Sequence, residues 1–73
     1  MIIYRTKETP GHSSQKSYWW NEYRLEGGRV VKYRCYRFKF FDGRENTWER
    51  EDKEEESWDL ESPLLPQWLK KYL

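Results

Sequence analysis

Ser17-Tyr18-Trp19-Trp20-Asn21-Glu22-Tyr23-Arg24-Leu25-Glu26-Gly27-Gly28-Arg29-Val30-Val31-Lys32-Tyr33-Arg34-Cys35-Tyr36-Arg37-Phe38-Lys39-Phe40-Phe41 is the stretch that decides the fold. Its two limbs are dense in aromatic and β-branched residues, which suit the pleated surface of a strand. Between them, Glu26-Gly27-Gly28-Arg29 places two glycines where a tight hairpin needs positive φ, flanked by opposite charges. A two-residue turn there makes opposed residue numbers sum to 55. One face then pairs Leu25 with Val30, Tyr23 with Lys32, Asn21 with Arg34 and Trp19 with Tyr36, and Phe38 continues it. The other face pairs Arg24 with Val31, Glu22 with Tyr33, Trp20 with Cys35 and Tyr18 with Arg37. Neither is cleanly apolar, whereas a sheet packed on one side alternates apolar with polar. Both faces therefore carry rings, one on the core and the other partly exposed or covered by another element.

On the N-terminal side, Ile2 to Thr6 reads as a first strand, and residues 8–16, centred on the turn formers Thr9-Pro10-Gly11-His12-Ser13-Ser14-Gln15, read as a mobile loop. On the C-terminal side, Asp42-Gly43 marks a second turn, and Thr47-Trp48-Glu49-Arg50-Glu51 resumes as a strand. Two registers suit this turn. In one, Lys39 meets Arg44 and Arg37 faces Asn46; in the other, Arg37 meets Glu51 and Lys39 meets Glu49, so that the basic third strand is neutralised by the acidic fourth. The acidic segment 49–56 erases the apolar pattern and reads as a solvated edge that resists aggregation. Ser62-Pro63-Leu64-Leu65-Pro66-Gln67-Trp68-Leu69-Lys70-Lys71-Tyr72-Leu73 predicts a short helix over 63–72, starting at Ser62 or Leu65 with a proline in its first turn. The expected architecture is α+β but mainly β: a three- or four-stranded antiparallel meander with a short C-terminal helix packed on the sheet or its edge.

Seventy-three residues suffice for a single small domain, 1–73, with a thin core. Hydrophobic residues are 36% of the chain, and aromatics alone supply 19%, so rings take the place of aliphatics in burying area. Charged residues at 37% would favour disorder without those rings. Cys35 is the only cysteine, which excludes an intrachain disulfide and suits a reducing compartment. In mid-strand among rings, it reads as a small buried hydrophobe. Met1 to Arg5 lacks an apolar run of signal length and no window approaches a membrane span, so a cytoplasmic location without membrane association is expected.

Motifs for chemistry are lacking. There is neither a phosphate-cradling nor a dinucleotide-binding glycine pattern. One histidine and one cysteine cannot make the usual four-ligand zinc site, and Asp42-Gly43-Arg44-Glu45-Asn46 lacks calcium-loop spacing. His12 beside Ser13 and Ser14 has no third orienting group in view. The expectation is a chain with no cofactor, metal or catalytic residue. Charge is lopsided: Met1 to Phe41 carries 9 basic and 3 acidic residues, and Asp42 to Leu73 carries 5 and 10. This bipolarity, with exposed rings, suggests a non-enzymatic interaction or accessory protein meeting an unidentified protein or forming a homo-oligomer. The alternative is single-stranded nucleic acid bound on the face bearing Trp19, Tyr23, Arg34, Tyr36 and Phe38, where rings stack bases and cations hold phosphates.

Overall fold

The computed structural model describes residues 1–11, 16–41 and 43–73, and at positions 40 and 41 the backbone alone. It forms one open, antiparallel sheet: β1 (Ile2–Arg5), β2 (Thr9–Pro10), β3 (Ser17–Glu26), β4 (Arg29–Phe41) and β5 (Asn46–Asp59), followed by a 3₁₀ helix, Gln67–Tyr72. The lateral order is β1-β3-β4-β5, and β2 lies in line with β1 along the same side of β3. The sheet thus has five strands rather than the three or four expected. The additional one arises because Thr9 and Pro10 pair with Trp19 and Tyr18, inside the segment read as loop. His12, Ser13, Ser14, Gln15 and Asp42 lie outside the described residues, so the remainder of that loop and the first residue of the second turn are not characterised.

The β3–β4 hairpin has the register implied by its two glycines, from Glu26 opposite Arg29 to Ser17 opposite Phe38. Gly27 and Gly28 sit at φ 55° and 76°, the two positive values that a right-twisted two-residue turn requires.

The β4–β5 hairpin follows neither expected register. Phe41 pairs with Asn46 and Lys39 with Trp48, and Arg37 lies opposite Arg50. Beyond an irregularity between Lys32 and Tyr33, the pairing shifts by one residue, so that Lys32 meets Glu56 and Val30 meets Trp58. Glu55 is the extra residue. A one-residue slip moves every side chain to the opposite face, which explains the device. Trp48 and Trp58 are an even number of residues apart and would share a face on a regular strand. With the bulge, Trp48 stacks near Tyr18 on one face, ring centroids 6.3 Å apart, and Trp58 packs on the core of the other.

That core lies at the Gly27-Gly28 end. Tyr23, Val30, Leu65 and Leu69 are buried together, with Ile3, Tyr4, Leu25 and Trp58 packed around them. The C-terminal segment supplies the lid, and its helix is a single short 3₁₀ element rather than the longer helix expected from residue 63. The cause is Pro66, which disfavours helical φ/ψ at Leu65 and itself stands outside the helix at ψ 132°. Six residues remain, and so few do not offset α-helix nucleation, whereas i to i+3 bonding closes them. The Leu69 N–H donates to the Pro66 carbonyl at 3.1 Å and the Leu73 N–H to that of Lys70 at 3.2 Å. Among the described residues the class is accordingly mainly β, with no α-helix.

The lid covers only part of the sheet. The Cα radius of gyration is 15.2 Å, against about 11 Å for a compact globule of this length. The far end of the β3–β4–β5 ribbon is a single layer.

Candidate interaction surfaces

The five residues singled out from sequence do not form one site. Tyr23 is a core residue, edge-on to Trp68 at 5.1 Å, and burial pushes its phenol above the ordinary value, reinforced by Glu56 and Glu55. Trp19, Arg34, Tyr36 and Phe38 share the same face of β3 and β4 beyond the lid and are half-buried. Arg34 stacks over Trp19 at 4.3 Å, while its Nε donates to Asn21 Oδ1 at 2.9 Å and approaches Glu55 at 3.5 Å. Lys53 approaches the Tyr36 ring at 5.9 Å. Acids stand among these groups, for β5 places Glu51 opposite Tyr36 and Glu49 opposite Phe38.

The reverse face has a different construction. Trp20 is 1% exposed, Glu22 1% and Cys35 0%, although no second layer of backbone lies over them among the described residues. Side chains alone do the covering. Arg5 and Arg50 stack over the Trp20 indole at 4.7 and 5.3 Å, and Arg24 lies over Tyr33 at 4.1 Å. The Glu22 carboxylate accepts from the Trp20 indole N–H at 2.7 Å, from Arg24 at 2.8 Å and from Arg50 at 3.0 Å. Asp52 then bridges the same two arginines, at 2.8 Å from Arg24 and 2.9 Å from Arg50. This ring joins β3 to β5 across β4, and Cys35 of β4 sits beneath it, 4.0 Å from Arg24 and 3.9 Å from Arg50.

Burial works to raise the Glu22 carboxyl, but the Trp20 N–H and the two guanidinium groups outweigh it and hold the group below its usual range. Burial likewise opposes ionisation of Asp52, and its bonds to Arg50 and Arg24 bring it down to about 2. The Cys35 thiol is pushed up to about 11 by burial and by Asp52. It is therefore a protonated packing group at neutral pH.

Further along this face Tyr18 and Trp48 lie together with Arg37 over both, at 5.0 and 4.6 Å, and Arg37 is tied to Glu8 at 3.0 Å. Of the basic residues of β4, Arg29 thus meets Asp59, Lys32 and Arg34 meet Glu55 and Arg37 meets Glu8. The second of the two registers considered, with Arg37 opposite Glu51 and Lys39 opposite Glu49, gives way to Arg37 opposite Arg50 and Lys39 opposite Trp48.

A second surface, apart from the five candidate residues, lies at the Gly27-Gly28 end. Among the described residues, the exposed large hydrophobics Met1, Ile2, Leu60, Leu64, Trp68, Tyr72 and Leu73 belong to the N-terminus and the C-terminal segment, and Trp48 lies elsewhere. Met1, Ile3, Leu25, Leu60, Tyr72 and Leu73 line an apolar cleft of about 330 Å³. Glu61, Lys70 and Lys71 are exposed nearby in sequence. One signal was available: the C-terminal dozen residues hold more apolar side chains than a single helix stripe can bury.

Among the described residues no group of three His, Cys, Asp or Glu is placed to hold a metal ion, and no helix is long and apolar enough to cross a membrane. No protein-family model, curated protein or solved structure matches the chain.

Proposed function

We propose that this chain is a non-enzymatic interaction protein that binds another protein, or a second copy of itself, through the apolar cluster at the Gly27-Gly28 end of its sheet. The observation that carries the reading is an apolar cleft lined by the exposed Met1, Leu60, Tyr72 and Leu73, in a C-terminal segment that also exposes Leu64 and Trp68. Contiguous apolar surface rimmed by charge is what a protein partner buries. The aromatic face beyond the lid supports the competing reading less well. It bears Trp19, Arg34 and Tyr36, but Glu49 and Glu51 stand on the same face and Glu55 lies beside Arg34. Those carboxylates oppose a phosphate backbone.

The test compares wild type with Leu64→Glu, a change at a residue 79% exposed that leaves the fold intact. Self-association is read by sedimentation equilibrium, and partner retention by affinity co-purification from cells expressing each form. The reading expects a dimer, or one retained protein, that is present with wild type and lost with Leu64→Glu. A monomer that retains the same background as the variant would overturn it. Trp fluorescence quenched by a mixed-sequence single-stranded oligonucleotide, and restored by salt, would favour nucleic acid instead.

A further inference from the structure

β5 is the longest strand in the sheet and pairs on one side only, with β4. Among the described residues no strand, helix or loop covers its other side, which therefore offers a row of unpaired backbone N–H and C=O groups. Such an edge is a ready template for one more strand. From Asn46 to Glu54 it is regular, and the bulge at Glu55 ends that run.

What the edge accepts is set by charge. Asn46–Asp59 holds seven acids, Glu49, Glu51, Asp52, Glu54, Glu55, Glu56 and Asp59, against Arg50 and Lys53. Part of this charge is used within the fold, since Asp52 holds Arg24 and Arg50, Glu55 meets Lys32 and Arg34, and Asp59 meets Arg29. Glu49, Glu54 and Glu56 make no ion pair among the described residues and are exposed. They lie on both faces: Glu49 and Glu56 on the core side, opposite Phe38 and Lys32, and Glu54 on the reverse, opposite Tyr33. A second copy docking antiparallel on this edge would set Glu49 against Glu51 or Glu54 in some registers and against Lys53 in others, because the edge carries Arg50 and Lys53 among its acids, whereas a cationic strand meets an excess of acids in every register. The edge is therefore better matched by a strand of opposite sign than by a copy of itself.

We propose that the Asn46–Glu54 edge of β5 is a docking site for an extended, lysine- or arginine-rich segment of a partner protein, which adds to the sheet as a sixth strand. Backbone bonds along the edge supply the register, and alternate cationic side chains of the guest, which share one face of an extended strand, reach Glu49 on the core side or Glu54 on the reverse. This goes beyond the apolar-cluster reading and stands without it, because the two surfaces share no residue.

The test uses a labelled peptide of alternating lysine and threonine, about nine residues long to match the regular edge. Binding to the full chain is followed by fluorescence anisotropy at low salt. A second peptide of the same sequence carries N-methyl groups on the amides of alternate residues, with both alternations tried, so that charge is kept and strand pairing is blocked. The expected result is binding of the plain peptide, weakened about tenfold or more for at least one methylated form, and weakened similarly by the combined surface variant Glu49→Gln, Glu54→Gln, Glu56→Gln. Three results would each overturn the proposal: no binding at low salt, equal binding of the plain and both methylated peptides, which marks loose polycation attraction, or cross-linking of β5 to β5 in a dimer of this chain.

Discussion

The two faces of the sheet near the Gly27-Gly28 turn are closed by opposite means. On one, Leu65 and Leu69 from the C-terminal segment cover Tyr23 and Val30, both buried. On the other, Arg5, Arg24 and Arg50 lie over Trp20, Tyr33 and Cys35, with Arg24 and Arg50 fixed by Glu22 and Asp52 and Arg5 tied to Glu8. Both are efficient at excluding water, since Val30 and Cys35 are each 0% exposed. The difference lies in what they require. An apolar lid needs a length of chain with aliphatic residues, and this sequence has one such length, at its C-terminus. The ionic lid needs only long side chains already on the strands, whose methylene stems cover rings while their heads find carboxylates. A chain poor in aliphatics can thereby close a second face without a second layer. The arrangement leaves both the edge of β5 and the outside of the apolar lid available to partners.

The comparison makes graded expectations. Leu69→Ala is the largest: it empties the centre of the apolar lid, and a loss of about 3 kcal/mol is expected from urea denaturation. Glu22→Gln breaks the centre of the ionic lid and leaves Arg24 and Arg50 short of a charge partner. Because those arginines reach water, about 2 kcal/mol is expected rather than the larger cost of a deeply buried pair. If instead Glu22→Gln costs as much as Leu69→Ala, the two lids are equal in weight. Gly28→Ala forces a side chain onto a backbone at φ 76°, and its expected cost is about 1 kcal/mol in either lid's presence. Glu51→Gln removes only an exposed partner of Lys53, 3.9 Å away. Its effect should fall below about 0.5 kcal/mol, which gives a baseline for the other three.

Legibility in the sequence followed the same division. The β3–β4 hairpin was readable in full because two adjacent glycines fix a turn type, and turn type fixes register. The second hairpin was not, because its turn has no such pair and the strand after it, from Glu49 to Glu56, has no apolar residue to mark its faces. Its register is instead set by distant partners: Glu22 and Arg24 call for Arg50 and Asp52 on one face, Val30 and Leu25 call for Trp58 on the other, and a bulge reconciles them. The helix start was misplaced because proline at its first helical position is favourable, whereas here Pro66 lies one step outside and restrains Leu65. Of the five candidate binding residues, four do share an uncovered face. Tyr23 was assigned to that face with good reason, but which end of it the C-terminal segment covers depends on a long-range contact that no local pattern encodes.

The claim that charge closes the second face is tested most directly by the pH dependence of stability in wild type and in the double variant Glu22→Gln, Asp52→Asn. Both carboxyl groups are held below their ordinary range in the folded protein, Asp52 at about 2. Their stabilisation is therefore present in full above the unfolded-state range of about 4 and is lost as pH falls through the folded values. Wild type should exceed the double variant in stability at pH 7, and the gap should narrow steadily between about pH 4 and pH 2. A gap absent at pH 7, or one that stays constant down to pH 2, would contradict the account.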